Sequence, residues 1–240
     1  MVRALAPLVL GLATAAAPAG LPFAERETAH YQMRWLNGPM ALPAGDVDLA
    51  AERTPDGYRL ELRLRTASWV RALYEALDTF ETRTDALLLP LTHRQDLADG
   101  RKHLIRTVEF DRRARRVRVT SSGAPPSTLP LSPSARDPLS TLFLVRTLPL
   151  EKGRRQQFIV NGAGREFPLD VSVIGPETVT VNGRQQDAIK LEPHFSTGTD
   201  RPEVRAAVYV SRDARRVPLS LIVATAYGSF AIELVDYQAR

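Results

Sequence analysis

The chain contains no cysteine. Disulfide bonds, a zinc–thiolate centre, a cysteine nucleophile and a lipidated lipobox cysteine are thereby excluded. Lysine is almost missing too: only Lys102, Lys152 and Lys190 occur, and the other 29 of the 32 basic residues are arginine. Histidine is confined to positions 30, 93, 103 and 194, and no two of these share the close spacing of a metal-binding pair. There is no Gly-x-Ser-x-Gly elbow and no Gly-rich phosphate loop. No metal site, no cofactor and no catalytic residue is expected, and the chain reads as a non-enzyme. Past the N-terminus no segment is apolar for the roughly 20 residues a membrane span needs.

What is present reads as one β-rich domain. The 240 residues are 44% hydrophobic and 25% charged, an ordinary globular balance. The first stretch, "MVRALAPLVLGLATAAAPAG", has a basic start at Arg3, an apolar run over 4–17 and an Ala17-Pro18-Ala19 cleavage site. That is the pattern of a secretory signal peptide over residues 1–19, leaving residues 20–240 as a single exported domain, periplasmic or secreted. The formal charge is +5. Arginine suits bidentate binding of phosphates and carboxylates. These arginines, however, are spread along many segments rather than gathered in one block, so no nucleic-acid partner is expected.

From Glu27 onward the hydropathy alternates. In "YRLELRLRT", Tyr58, Leu60, Leu62 and Leu64 fall on one face and Arg59, Glu61, Arg63 and Arg65 on the other. Period two marks a strand with one buried face. Segments 165–175, 186–195, 204–210 and 229–237 behave alike, and Asn182-Gly183 signals a hairpin. Pro168, Pro193 and Pro218 fall at or near strand ends, where edges or bulges occur. "DALLLPLT" (85–92) recurs as "DARRVPLS" (213–220), with a weaker relative in "DRRARRVRVT" (111–120). Each reads as a hairpin turn in which Asp bonds its own backbone and Pro fixes φ as the next strand begins.

Two segments break this rhythm. "SWVRALYEAL" (68–77) carries apolar residues at helical spacing behind Ser68. "RDPLSTLFLVRTLPLEKG" (136–153) offers Asp137 as N-cap, Pro138 at the first helical position and Pro149 as a stop. The second helix is apolar nearly all round and should be covered on most sides. "SSGAPPST" (121–128) reads as an irregular excursion. The expected architecture is mainly β: roughly twelve strands in a large curved antiparallel sheet or half-open β-barrel, since a sheet of that size must curl or close. Two short helices would cover its concave face.

"YQMRWLNGPMALPAGDVDL" (31–49), the stretch 68–95, "RDPLSTLFLVRTLPLEKG" and "VYVSRDARRVPLSLIV" (208–223) together resemble, in order, the domain of unknown function 3108 family. The likeness covers about 22–238. It implies an exported, mainly antiparallel β protein with no agreed activity, and it transfers no catalytic residue. The hairpins are also similar to those of periplasmic lipoprotein carriers, whose half-barrel holds acyl chains beneath helical lids; that is an analogy of architecture.

Trp35, Trp69, Leu73, Tyr74, Leu142 and Phe143 flank or line the two proposed helices and form the candidate lining of an apolar pocket. Plain core packing explains the same aromatics. Three functions stay open: a non-catalytic carrier for a lipid or acylated envelope component, an envelope assembly factor pairing through a sheet edge with another protein, and an uncharacterised hydrolase. For the last, Glu75, Asp78 and Glu81 are the nearest to a carboxylate pair. His93 and His103 could meet across a hairpin near Asp96 or Asp99, although exposed strand histidines are the expected reading. Arg146, near the helix end, suits the helix dipole.

Overall fold

The computed structural model describes residues 23–67, 76–99, 102–195, 205–225 and 228–240. Within them the alternating segments form fourteen strands and the Asp137-Pro138 segment forms one helix. The first half comprises β1 (Arg26–Asn37), β2 (Met40–Thr54), β3 (Gly57–Thr66), β4 (Ala76–Asp85), β5 (Pro90–Asp99), β6 (Lys102–Asp111), β7 (Arg116–Ser121) and β8 (Ala124–Pro130). After the helix α1 (Pro138–Thr147) come β9 (Arg155–Gly162), β10 (Arg165–Val181), β11 (Arg184–Phe195), β12 (Arg205–Ser211), β13 (Pro218–Thr225) and β14 (Gly228–Ala239). All belong to one antiparallel sheet in the order β8-β7-β6-β5-β4-β3-β2-β1-β14-β13-β12-β11-β10-β9. Pairing of β1 with β14 puts the first and last strands together at its centre.

The alternation of β3 is realised as read. Leu60 is fully buried and pairs with Thr82, while Arg59 and Arg63 face solvent. The recurrent Asp-Ala motifs are the hairpins β4–β5 and β12–β13. Asp85 Oδ1 accepts from the backbone N–H of Leu87 (2.9 Å) and Leu89 (2.8 Å). Leu88 and Arg216 hold the same position in the two motifs, and both have positive φ, at 59° and 50°. Each hairpin also carries a bulge just before its proline pairs, at Arg83/Thr84 and at Tyr209/Val210.

The sheet curls without closing into a barrel. Its edge strands β8 and β9 do not pair; instead Arg136 makes an isolated parallel bridge to Val160. The Arg136 N–H donates to Ile159 O (2.9 Å) and the Asn161 N–H to Arg136 O (2.7 Å). The β9–β10 turn lies against the opposite end of the sheet. A Cβ on Gly164 (φ +91°) would stand 2.5 Å from Val119 Cγ2, so glycine permits this approach.

Helix α1 lies across the interior, tied to a different hairpin at each end. At its start the Arg136 side chain reaches Leu87 O (3.4 Å), and at its end Arg146 reaches Arg216 O (3.1 Å). Leu139 and Phe143 pack into a core with Ala29, Tyr31, Val47, Leu49 and Leu60 of β1–β3. Val145 packs into a second core with β9–β12. Walls on two sides explain why so short a helix is apolar on most of its surface.

The first helix expected from sequence lies over 68–75 outside the described residues, and its last two residues, Ala76 and Leu77, belong to strand β4, where Leu77 is exposed. The structure corrects three other expectations. The strands among the described residues number fourteen rather than about twelve. Most of the 121–128 stretch read as irregular belongs to the edge strand β8 (Ala124–Pro130), where prolines are tolerated because no further strand needs their N–H. The histidines are not uniformly exposed, because His93 is 1% accessible, with Thr82 and Val108 opposite it.

Candidate functional site

The curled sheet has two unlike inner walls. On β4–β6 the inward positions include a row of polar side chains; on β9–β13 they are nearly all aliphatic.

The polar row meets the helix at Asp137, which is fully buried. Its Oδ1 accepts from the N–H groups of Leu139 (3.0 Å) and Ser140 (3.4 Å) and from the Thr82 hydroxyl (2.6 Å). The Ser140 hydroxyl donates to Oδ2. His93 Nδ1 lies 2.9 Å from Thr82 Oγ1 and 3.3 Å from Asp137 Oδ1; its Nε2 lies 3.2 Å from the Gln95 amide nitrogen. Arg106 donates to Gln95 Oε1 (3.2 Å). Counting donors orients the chain. Arg106 fixes Gln95 Oε1 as acceptor, so the Gln95 amide nitrogen faces His93 Nε2. Burial acts against the Asp137 charge, but the hydrogen bonds from His93, Ser140 and Thr82 outweigh it and hold the carboxyl below its ordinary pKa. This is an N-cap sealed in a hydrogen-bonded core. Ser140 bonds Asp137, Thr82 bonds both Asp137 and His93, and each of the four is at most 1% exposed.

At the other end of α1, the buried Arg146 guanidinium forms a two-pronged ion pair with Glu27 of β1. It also donates to the carbonyls of Arg215 (3.0 Å) and Arg216 (3.1 Å) and stacks on the rings of Phe23 (4.6 Å) and Phe143 (5.0 Å). Its role is thus an interior clamp, beyond the helix-dipole contact that its position suggests. The Tyr237 hydroxyl donates to Glu27 Oε2 (2.9 Å). Tyr237 is pushed up to about 12 by partial burial and the adjacent Glu27 charge, and burial raises Tyr31 as well.

Between α1 and the aliphatic wall lies a cleft of about 480 Å³. Pro138, Thr141, Leu142 and Val145 line it from the helix, the i, i+3, i+4, i+7 face. Leu169, Val171, Leu191, Val208 and Leu221 line it from the sheet. A smaller hollow of about 110 Å³ adjoins it, sharing Leu142, Val208 and Leu221 and reaching Tyr31 and Val47 of the opposite wall. Among the described residues the one charged side chain on the cleft is Arg146, whose guanidinium is already engaged by Glu27 and two carbonyls.

Of the six residues proposed from sequence, Leu142 lines this cleft. Phe143 is fully buried within the β1–β3 core, against which Leu142 also packs. Trp35 sits far along β1 beside Gly228, where an added Cβ would meet its ring nitrogen at 2.8 Å. Trp69, Leu73 and Tyr74 lie outside the described residues. The structure therefore does not bring Trp35, Leu142 and Phe143 to one surface. Of the three carboxylates, Glu75 is outside the described residues, Asp78 is half-buried on β4, and Glu81 pairs with Arg59 (2.8 Å) on the outer face. His103 meets Asp96 (2.6 Å), away from His93. The cleft walls missed by sequence reading were signalled by alternate Leu and Val in 165–175, 186–195 and 204–210.

The family model described as protein of unknown function (DUF3108) matches residues 30–235. No curated protein matches the chain. Among solved structures, the fold is similar to the crystal structure of a beta-barrel-like protein of domain of unknown function DUF1849 from Brucella abortus. The TM-score is 0.66 at 12% identity, over 91% of this chain and 99% of that one.

Proposed function

The chain belongs to the DUF3108 family, and we propose that it is a non-catalytic carrier that holds a hydrocarbon chain in the cleft between α1 and strands β9–β13. One observation carries this reading: about 480 Å³ of space lined by Leu, Val and Phe, beneath a helix anchored at both ends. That volume is in the range of small-molecule sites. A void of this size costs the fold packing contacts, and a hydrocarbon guest would restore them. The guest fits a lipid or acylated component of the cell envelope, consistent with the export signal read in residues 1–19, which lie outside the described residues. Among the described residues no helix is long and apolar enough to cross a membrane.

Strand addition at a sheet edge has less support. β8 carries Pro125, Pro126 and Pro130, which blunt that edge. β9 is engaged by Arg136 at Ile159 and Asn161.

The test is extraction of the protein from its native host followed by lipid mass spectrometry. A stoichiometric long-chain lipid is expected. Recovery of none, with no uptake of a fluorescent fatty acid, would sink the carrier reading.

A further inference from the structure

The β4–β5 and β12–β13 hairpins are built on one motif, and the two ends of α1 use them alike. Asp85-Ala86-Leu87-Leu88 matches Asp213-Ala214-Arg215-Arg216. The third residue of each gives its carbonyl to an arginine at one end of the helix: Leu87 O to Arg136 (3.4 Å) and Arg215 O to Arg146 (3.0 Å). The fourth has positive φ in both. The side chain of the third residue takes no part in this. In one hairpin it is Arg215; in the other it is Leu87, 65% exposed, more than any other large hydrophobic among the described residues. The fold therefore does not require a leucine at this tip. Leu91, four residues on, is 44% exposed. Single leucines scattered over a surface need no explanation, but these two share one hairpin.

The neighbouring turn is basic. β5 and β6 pair antiparallel from Asp99↔Lys102 to Thr92↔Glu109, so the β4–β5 and β6–β7 turns lie at the same end of the sheet. The β6–β7 turn carries Arg112, Arg113, Arg115 and Arg116. The segment 131–136 ties the two turns together. Arg112 donates to Pro133 O (2.9 Å) and Ala135 O (2.9 Å), the Leu131 N–H donates to Arg115 O (3.0 Å), and Arg136 reaches Leu87 O. Among the described residues Arg112, Arg113, Arg115 and Arg136 form no ion pair. Arg112 and Arg136 bond carbonyls alone, and the Nε of each is unbonded. Burial, and then the Arg112 charge, holds Arg136 below its ordinary pKa. Asp85 partly offsets this, but its Oδ1 already accepts from two backbone N–H groups. Asp111 accepts from the Ala114 N–H (2.8 Å) and stands 3.9 Å from Arg116.

We propose that this end of the protein docks on an anionic lipid bilayer, with Leu87 entering the headgroup layer and Arg113 and Arg115, flanked by Arg112 and Arg136, meeting the lipid phosphates. An apolar tip gains by leaving water, and guanidiniums without carboxylate partners gain by meeting phosphate. An anionic bilayer offers both at one surface. A soluble polyanion would engage the arginines and leave Leu87 in water.

The chain has no cysteine, so Leu87→Cys and Met40→Cys each accept one nitrobenzoxadiazole label. Met40 is exposed in the β1–β2 turn, at the opposite end of the sheet. On vesicles of phosphatidylglycerol mixed with phosphatidylcholine, the label at 87 should brighten and shift to the blue. Pure phosphatidylcholine should leave it unchanged, and the label at 40 should respond to neither. In cosedimentation with the anionic vesicles, Leu87→Ser should weaken binding by about tenfold with urea unfolding unchanged. Arg113→Gln with Arg115→Asn should weaken it by about tenfold or more and flatten its salt dependence; asparagine suits the φ of +51° at position 115. A response at 40 in place of 87, or equal binding by Leu87→Ser and wild type, overturns the proposal. The cleft is read separately, by the fluorescent fatty acid cis-parinaric acid. Protein that binds that probe but no anionic vesicle keeps the cleft and loses the docking surface.

Discussion

Arg146 and Glu27, 119 residues apart in sequence, form a buried two-pronged ion pair that pins the end of α1 to the first strand of the sheet. Removing one partner strands a buried charge. Glu27→Ala should therefore destabilise the protein by about 3–5 kcal/mol, read by urea unfolding. Replacing both, as Glu27→Leu with Arg146→Met, should recover most of that loss because no charge remains to be solvated. A double variant as unstable as the single one would show that the pair itself supplies the stability.

The tyrosines around this pair set the alkaline limit. Tyr237 is raised to about 12 and Tyr31 is raised too. A folded pKa above the unfolded value of about 10 means that the contribution is complete below pH ~10 and is lost as pH rises toward the folded value. Stability should fall from about pH 10 upward, and Tyr237→Phe should flatten part of that fall. An identical alkaline profile in the variant would contradict the assignment.

At the other end of the helix the sign reverses. Asp137 is held below its ordinary pKa by bonds from His93, Ser140 and Thr82 against the opposing effect of burial. Its contribution is present above the unfolded value of about 3.9 and is lost as pH falls below it toward the folded value. Asp137→Asn should reduce the acid dependence of unfolding below about pH 4. Asp137→Ala, which loses the cap and orphans its donors, should cost about 2–4 kcal/mol at neutral pH.

Adjacent residues of α1 should separate packing from binding. Phe143 is fully enclosed, so Phe143→Ala should cost about 3–5 kcal/mol. Leu142 borders open space, so Leu142→Ala should cost about 1–2 kcal/mol and chiefly change probe affinity. Equal losses at the two positions would mean that the cleft is filled in solution.

The helix bounds were legible because capping is local chemistry: Asp137, Pro138 and Pro149 announce them without reference to the rest of the fold. The Asp-Ala hairpins were legible for the same reason. The site was not, because its lining depends on which strands the helix faces. Leu142 and Phe143 are indistinguishable by composition, yet Phe143 is enclosed in the β1–β3 core while Leu142, packed against that core, also borders the cleft. His93 reads as an exposed strand residue until the inward row Thr82–His93–Gln95 is known. The buried role of Arg146 required Glu27, a residue that in sequence is one more charge in an alternating strand.

The most direct measurement fills the cleft. Val208 lies on its wall and also on the adjoining hollow. Titrating cis-parinaric acid into wild type and Val208→Trp, with unfolding monitored in parallel, decides the central claim. Saturable binding near one probe per chain in the wild type, weakened about tenfold or more in a still-folded Val208→Trp, is the result predicted here (a loss of about 1.4 kcal/mol or more). Equal binding by the two proteins, or none by the wild type, would contradict it.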